Sequence, residues 1–385
     1  MPRAPDDTTP IRFFDLDPAQ FDQIIQGWNW PRFRGKQVRE WVYGKLVVDP
    51  KAMTNLAVRE QEFLRERILF APSTLTTQQK SSDGTQKLLL AWEGIDAAPG
   101  ASAETVMIPD DTRRTACVSS QVGCPVGCKF CASGIGGVKG NLSAGQIVEQ
   151  VFRLNTILDG SGQRDEKGRP QRINHIVFMG MGEPLANYAN VMQAIRVLHD
   201  PQCFNIGARK ITISTVGVPA RMRQLAGENL PINLAISLHA PNEELRQQLI
   251  PWAQHFALAD ILDAGRYYFE HTGREVTLEY ILLAGVNDQP RHARELARVC
   301  KTLRANVNLI RYNPVAGLPF ERPKADDVMA FQEVLRSAGV NAHTRKSRGR
   351  DIDAACGQLR RKKLDAVRVA GLEPEFADLA EGLLP

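Results

Sequence analysis

Between Thr115 and Ala338 short apolar runs alternate with stretches of helical periodicity, and this alternation restricts the fold more than any other feature of the chain. The apolar runs cover 115–119, 175–179, 210–216, 232–238, 276–283 and 307–312. Helix-like stretches separate them, among them 143–158, 188–198, 291–303 and 325–338. Ser143 with Gln146 reads as a capping box for the first of these. Strand and helix in strict succession predict an α/β fold, with a parallel sheet and helices outside it. Right-handed crossovers let such a sheet curl. Six repeats predict an incomplete (β/α)6 barrel, because the chain has no room for the two further units of a closed eight-fold one.

The flanks read differently. Apolar positions recur at helical spacing in Phe21, Ile24, Ile25 and Trp28, then in Val38, Trp41, Val42 and Leu46, with Pro31 and Gly35 as breakers between them. Residues 1–73 therefore read as a small helical accessory domain, too small to be stable without docking on its neighbour. In 74–110 the run Ser82-Asp83-Gly84-Thr85 marks a turn between β-like segments, which predicts a β-hairpin connector. The barrel then spans 111–345, and 346–385 forms a C-terminal segment whose last part, 364–385, is an acidic peripheral tail.

Functional groups in barrels of this kind sit at the C-terminal ends of the strands. The sequence places its polar and glycine-rich residues there. Gly180-Met181-Gly182-Glu183-Pro184 follows the second run, Ser214 ends the third, Ser237 and His239 end the fourth, and Asn313-Pro314 ends the sixth. After the first run comes Cys124-Pro-Val-Gly-Cys128-Lys-Phe-Cys131, with C-x3-C-x2-C spacing. Three thiolates on one short loop can hold three corners of a [4Fe-4S] cluster. No fourth cysteine follows nearby, so one iron is left open for a ligand. A structural zinc site would need a second ligand pair, and no nearby Cys or His supplies it.

The seven cysteines are odd in number and unevenly spread, which does not read as a secreted disulfide framework and points to a reducing cytoplasm. No apolar run approaches the roughly 18 residues of a membrane span, and the N-terminus has no apolar core behind a basic start, so no signal peptide is expected. A net charge of +5 is modest, but Arg345, Lys346, Arg348, Arg350, Arg360, Arg361, Lys362 and Lys363 cluster near the C-terminus, and Arg32, Arg34, Lys36 and Arg39 near the N-terminus. Such clusters suit phosphate neutralisation in a nucleic acid, or else form a solvated charged face. Cys203 and Cys300 read as small buried apolar residues. Cys356 lies among positive neighbours that favour its thiolate.

The cysteine run, including Phe130 before its last cysteine, resembles the signature of the radical S-adenosylmethionine (radical SAM) superfamily. Within it, FRGKQVREWVY, ETVMIP, CVSSQVGCPVGCKFC, FMGMGEP, ISTVG, AISLHA, RYNPV and RKSRGRDIDAACGQL are similar to the ribosomal RNA adenine methyltransferases, from about residue 15 to about residue 363. The flanking runs look more like the branch that methylates adenine C2 than the C8 branch. The resemblance implies a [4Fe-4S] cluster on Cys124, Cys128 and Cys131, and two S-adenosylmethionine molecules per turnover. It implies cofactor contacts at Gly182, Glu183, Ser214, Ser237, Leu238, His239 and Asn313.

Adenine C2 is electron-poor and cannot attack a sulfonium as a nucleophile, so a radical route is required. In the mechanism that the resemblance implies, Cys356 first becomes S-methylcysteine. A 5′-deoxyadenosyl radical then activates its methyl group, which adds to C2 and tethers RNA to protein. Cys117 attacks the Cys356 sulfur, forming a transient disulfide that frees the product by thiol chemistry. Glu104, in ETVMIP, is the candidate proton acceptor, against a plain strand glutamate. The implied partners are an adenosine of 23S rRNA in the peptidyl-transferase centre, for some members the tRNA adenosine beside the anticodon, and an electron donor such as flavodoxin. The chain is expected to act as a monomer. A C8 methyltransferase and a non-catalytic iron-sulfur RNA-binding protein are the competing readings; the joint presence of Cys117 and Cys356 argues against the second.

Overall fold

A computed structural model describes residues 10–92, 102–346, 348, 349, 351, 352 and 358. Cys356 and the acidic tail lie outside the described residues.

The N-terminal segment forms α1 (Pro18–Gly27), α2 (Phe33–Arg39) and α3 (Val58–Arg67), and β1 (Ile11–Arg12) pairs in parallel with β2 (Ile68–Leu69). Asp17 caps α1 by accepting from Gln20 N at 2.8 Å, and Gln20 Oε1 accepts from Asp17 N at 2.9 Å. Gly35, expected to break a helix, instead lies inside α2. A Cβ at that position would run into the Asp22 carboxylate of α1. Asp22 is held there by Arg39 at 2.6 Å, so the glycine serves the close approach of two helices. Phe13, Phe14, Phe21 and Tyr43 share one buried cluster with Val148 and Phe152 of α4 (Ala144–Gly160). The helical segment is thus docked through apolar burial, the dominant favourable term in such contacts. Glu149 of α4 reinforces the junction by accepting from Ser73 N and Trp92 Nε1, both at 2.8 Å.

One ten-stranded sheet organises the rest. Its parallel part runs through β6 (Arg113–Cys117), β9 (His175–Phe178), β10 (Ile211–Thr215), β11 (Asn233–Ser237), β12 (Val276–Leu282), β13 (Ala305–Arg311) and β14 (Ala342–Thr344). These are the six expected strands and a short seventh. The segment expected as a hairpin connector is more than that. β3 (Thr74–Lys80), β4 (Gln86–Ala91) and β5 (Ser102–Asp110) form an antiparallel extension that joins the same sheet at β6. The expected turn lies between β3 and β4, closed by Ser81 N donating to Thr85 O at 2.8 Å.

Helices α5 (Tyr188–His199), α6 (Pro219–Ala226), α7 (Glu243–Leu249), α8 (Leu258–Thr272), α9 (Pro290–Leu303) and α10 (Ala325–Ser337) connect the strands. The Ser143–Gln146 capping box forms as expected, with bonds of 3.2 and 2.8 Å. A separate ribbon of β7 (Gln121–Gly123) and β8 (Val138–Asn141) brackets the cysteine loop. Among the described residues, no helix is long and apolar enough to cross a membrane.

Among the described residues the sheet does not close on itself: β14 and β3 are its two edges. After β14 the chain runs back to the β3–β4 turn and the end of β5. Arg348 pairs with Asp110 at 2.7 Å, Gly349 N donates to Asp83 Oδ2 at 2.8 Å, and Ser82 N donates to Asp351 Oδ2 at 2.9 Å. Ser81 Oγ also bonds the Asp351 carboxylate.

Candidate active site

A cavity of about 350 Å³ opens at the C-terminal ends of the parallel strands. Cys117, Cys124, Cys128 and Cys131 line it, together with Gly182, Glu183, Ser214, Ser237, His239 and Asn313. Residues that sequence reasoning drew from five separate strand ends therefore meet in one place.

The cysteine loop is shaped by glycines and by the neighbouring helix. Gly123 (φ +82°) sits so close to Gly137 O that a Cβ would collide with it. Cys131 N donates to Cys128 O at 3.1 Å, and Lys129 N to Leu249 O at 3.0 Å. Phe130 is buried edge-on against the His239 ring, with centroids 5.1 Å apart. Burial pushes the Cys124 and Cys128 thiols well up, and the neighbouring Cys131 pushes them further. Three thiolates in this space repel one another, and a cationic iron-sulfur core would relieve that repulsion. Among the described residues no three His, Cys, Asp or Glu side chains gather tightly enough for a single metal ion. A cube differs in this respect, since each sulfur binds its own iron. The donor set fits a three-cysteine cluster.

Gly180 and Gly182 allow the second strand end to press on the residues leading into β7. Ser120 N and Gln121 N both donate to Met181 O, at 2.9 and 3.2 Å. Gly182 has φ +103°, and a Cβ there would lie 2.7 Å from both Gln121 Cβ and Ser120 Oγ. Glu183 follows, with its side chain almost fully buried. Its Oε1 accepts from Leu185 N at 2.9 Å and its Oε2 from Val216 N at 2.8 Å. Burial outweighs these bonds and pushes its carboxyl up to about 7. With the Thr215 side chain as a third donor, the carboxylate still has acceptor capacity for an ammonium from the cavity.

Ser214 and Ser237 stand side by side on β10 and β11, with hydroxyls 3.1 Å apart. His239 has φ +58° and is buried. Its Nδ1 accepts from Ile281 N at 3.1 Å, so Nε2 carries the proton. Burial, then the nearby Arg246 guanidinium, drives its pKa down to about 3. The ring is a neutral hydrogen-bond donor.

Two expected residues lie elsewhere. Leu238 is fully buried in the main apolar core and is not part of the cavity lining. Glu104 on β5 is also outside the lining, in an ion pair with the buried Lys87 of β4 at 2.6 Å. Val106 and Ile108, two and four residues further along the same strand, do line the cavity.

Sequence reasoning missed Glu279, Lys87 and Arg246. Glu279 lines the cavity from β12; its Oε1 accepts from Asn308 Nδ2 at 3.0 Å, while its buried Oε2 has no partner, and burial raises its pKa. A second cavity of about 450 Å³ continues down the barrel, lined by Thr115, Thr212, Asn233, Thr277 and Asn308, and shares Glu279 with the first. Period-two polar residues on the strands were the signal for this polar interior. Arg345, Lys346 and Arg348, part of the expected basic segment, border both cavities.

Comparison with known proteins agrees with this geometry. Residues 118–297 match the radical SAM superfamily, and residues 11–69 match the ribosomal RNA large subunit methyltransferase N-terminal domain. A protein of Rhodopirellula baltica described as a probable dual-specificity RNA methyltransferase RlmN is 43% identical over 344 residues, 89% of each chain. One of the same description from Symbiobacterium thermophilum is 47% identical over 334 residues, 86% of each chain. The crystal structure of a radical SAM methyltransferase from Sphaerobacter thermophilus superposes with a TM-score of 0.85 at 40% identity, covering 91% of this chain and 99% of that one.

Proposed function

The chain belongs to the RlmN family of radical SAM RNA methyltransferases, and from that premise we propose that it methylates C2 of an adenosine in 23S rRNA, at the peptidyl-transferase centre, and C2 of the tRNA adenosine beside the anticodon. The observation that carries the reading is that Cys117 lines the same cavity as Cys124, Cys128 and Cys131. A resolving thiol is useful only where the tethered product forms, and the cluster cysteines mark that place.

Cys124, Cys128 and Cys131 would hold a [4Fe-4S] cluster. When bound, the cluster and S-adenosylmethionine supply one-electron cleavage of a sulfonium to a carbon radical. Glu183 would receive the amino group of S-adenosylmethionine. The Ser214 and Ser237 hydroxyls, the His239 Nε2–H and the Asn313 amide would take its hydroxyl, carboxylate and ring acceptors. Leu238 would contribute through its backbone. Arg345, Lys346 and Arg348 at the cavity border suit RNA phosphates, and the target base must leave its stack to enter.

Cys356 would carry the methyl group as a thioether and deliver it to C2. Glu104 would take the C2 proton. Cys117 thiolate would then attack the Cys356 sulfur; the S–S bond forms as the S–C bond to the adduct breaks, and the carbon takes the electron pair and a proton. An external dithiol reductant would reopen the disulfide. A flavodoxin-type electron donor and a monomeric enzyme complete the proposal.

The test is anaerobic reconstitution with iron and sulfide, followed by reaction with ribosomal RNA and tRNA transcripts and mass spectrometry of the nucleosides. 2-Methyladenosine is expected in both. 8-Methyladenosine as the sole product would overturn the C2 assignment, and binding of RNA without turnover would overturn the catalytic one.

A further inference from the structure

Arg246 is a buried cation with no carboxylate in ion-pair contact among the described residues, although Glu243 lies close enough to favour its charge. It lies on α7, which Asn242 caps by accepting from Leu245 N at 3.0 Å. Its side chain is 1% exposed. Nη2 donates to Val216 O, whereas Nε and Nη1 are buried and have no hydrogen-bond partner. The acidic groups around it are committed elsewhere. Glu243, one turn back on the same helix, accepts from Gln247 Nε2 at 2.9 Å and from Leu258 N at 2.6 Å. Glu183 binds the other side of the Val216 peptide, at its N–H. His239 is the remaining titratable neighbour, and it is neutral at physiological pH.

A guanidinium carries five N–H donors and does not lose its proton in proteins. Burying it with two nitrogens unsatisfied is strongly unfavourable unless something anionic completes the site. The surroundings show where that partner belongs. Leu245 and Leu249 of α7, with Ile250 and Ala253 just after it, pack in one apolar cluster with Cys124, Cys128 and Cys131. The α7 terminus is also bonded to the cysteine loop, through Lys129 N and Leu249 O.

We propose that Arg246 is the internal counter-charge of the cysteine loop: its unsatisfied N–H groups serve the anionic sulfur of Cys128 and of the cluster on it, making Arg246 a positioning residue for cluster assembly and for the potential at which the cluster accepts an electron. The inference rests on the reading of the three cysteines as cluster ligands. Glu243, and after it Cys128, favours the Arg246 cation, and Arg246 favours the Cys128 thiolate. Hydrogen bonds to cluster sulfur and nearby positive charge raise a cluster's reduction potential.

The experiment compares wild type with R246M and R246Q, as apoprotein and after anaerobic reconstitution, by thermal melting, iron content and reductive titration followed by absorbance. Removing a buried guanidinium with two unsatisfied nitrogens predicts that apo R246M melts at or above the wild-type apoprotein. Reconstitution should then raise its melting temperature less than it raises that of wild type, with less iron bound and a more negative midpoint potential. R246Q retains a donor for Val216 O without the charge, and its potential should also shift negative. If apo R246M melts below wild type, or fails to fold, while R246Q shows wild-type iron content and potential, the counter-charge assignment is wrong and Arg246 only braces α7. Wild-type protein that binds no iron would instead remove the cluster reading itself.

Discussion

Lys87 Nζ lies 2.6 Å from Glu104 Oε2, with the lysine side chain 0% and the glutamate side chain 3% exposed. The two residues are diagonal neighbours on antiparallel strands, since Lys87 registers with Val106 and Leu89 with Glu104. The candidate proton acceptor is thus held by a cation on the adjoining strand, on the strand that brings Val106 and Ile108 to the cavity.

Breaking this pair from either side should be costly. Glu104→Gln or Lys87→Met removes one charge of this buried ion pair, and each should destabilise the protein by roughly 3–5 kcal/mol. The double substitution should recover much of that loss, because the two residues act as a unit. Denaturant titration of the four proteins in this cycle measures it; two additive losses would show that the residues are not coupled. In Glu104→Gln, protein-RNA adduct should accumulate while free methylated RNA falls.

Cys117→Ala should trap the same adduct, visible as a slow-migrating protein-RNA band that nuclease collapses. Cys356→Ala should give neither adduct nor product. Free product at normal yield from either variant would refute the role assigned to it.

Glu183 gives the apoprotein a pH signature. Its carboxyl titrates near 7 in the fold against 4.5 when unperturbed. Between those values the folded state binds more protons than the unfolded one, so this group's contribution to stability falls as pH rises. The loss amounts to about 3 kcal/mol across the window, at 1.36 kcal/mol per pH unit. Glu183→Gln should flatten this part of the profile, even though its amide bonds the Val216 and Leu185 N–H groups less well. An unchanged slope in urea titrations between pH 5 and 7 would show that another group titrates there.

Gly182→Ala should disrupt cofactor binding before it disrupts folding. A side chain at φ +103° and 2.7 Å from its neighbours carries backbone strain of about 1–3 kcal/mol and a steric overlap, both at the cavity wall. Calorimetric affinity for S-adenosylmethionine should fall sharply while the circular dichroism spectrum stays that of wild type.

Much of this arrangement was legible in the chain. The strand-helix alternation marked six of the parallel strands, and the residues just past them converge as expected. What escaped notice shares a physical cause. β14 is three residues long, too short to show a period. Gly35 looked like a breaker because sequence shows the missing side chain but not the Asp22 carboxylate that needs the room. Lys87 and Arg246 carry no local signal of burial, because long cations are nearly always exposed. Only tertiary structure reveals that each is enclosed. Glu104 was picked out by resemblance to a motif, and no local pattern showed that a lysine on the next strand binds it.

The return of the chain from β14 to the Ser81–Asp83 turn has its own consequence. Among the described residues, the gap between the sheet's two edges is laced by an ion pair and a few loop bonds, not by a strand ladder. Lacing of this kind can be undone and retied while every strand keeps its partners. A bulky polymer could be admitted and released there without melting the scaffold. The amides of Gly349 and Ser82 should accordingly exchange with deuterium far faster than those joining β12 to β13.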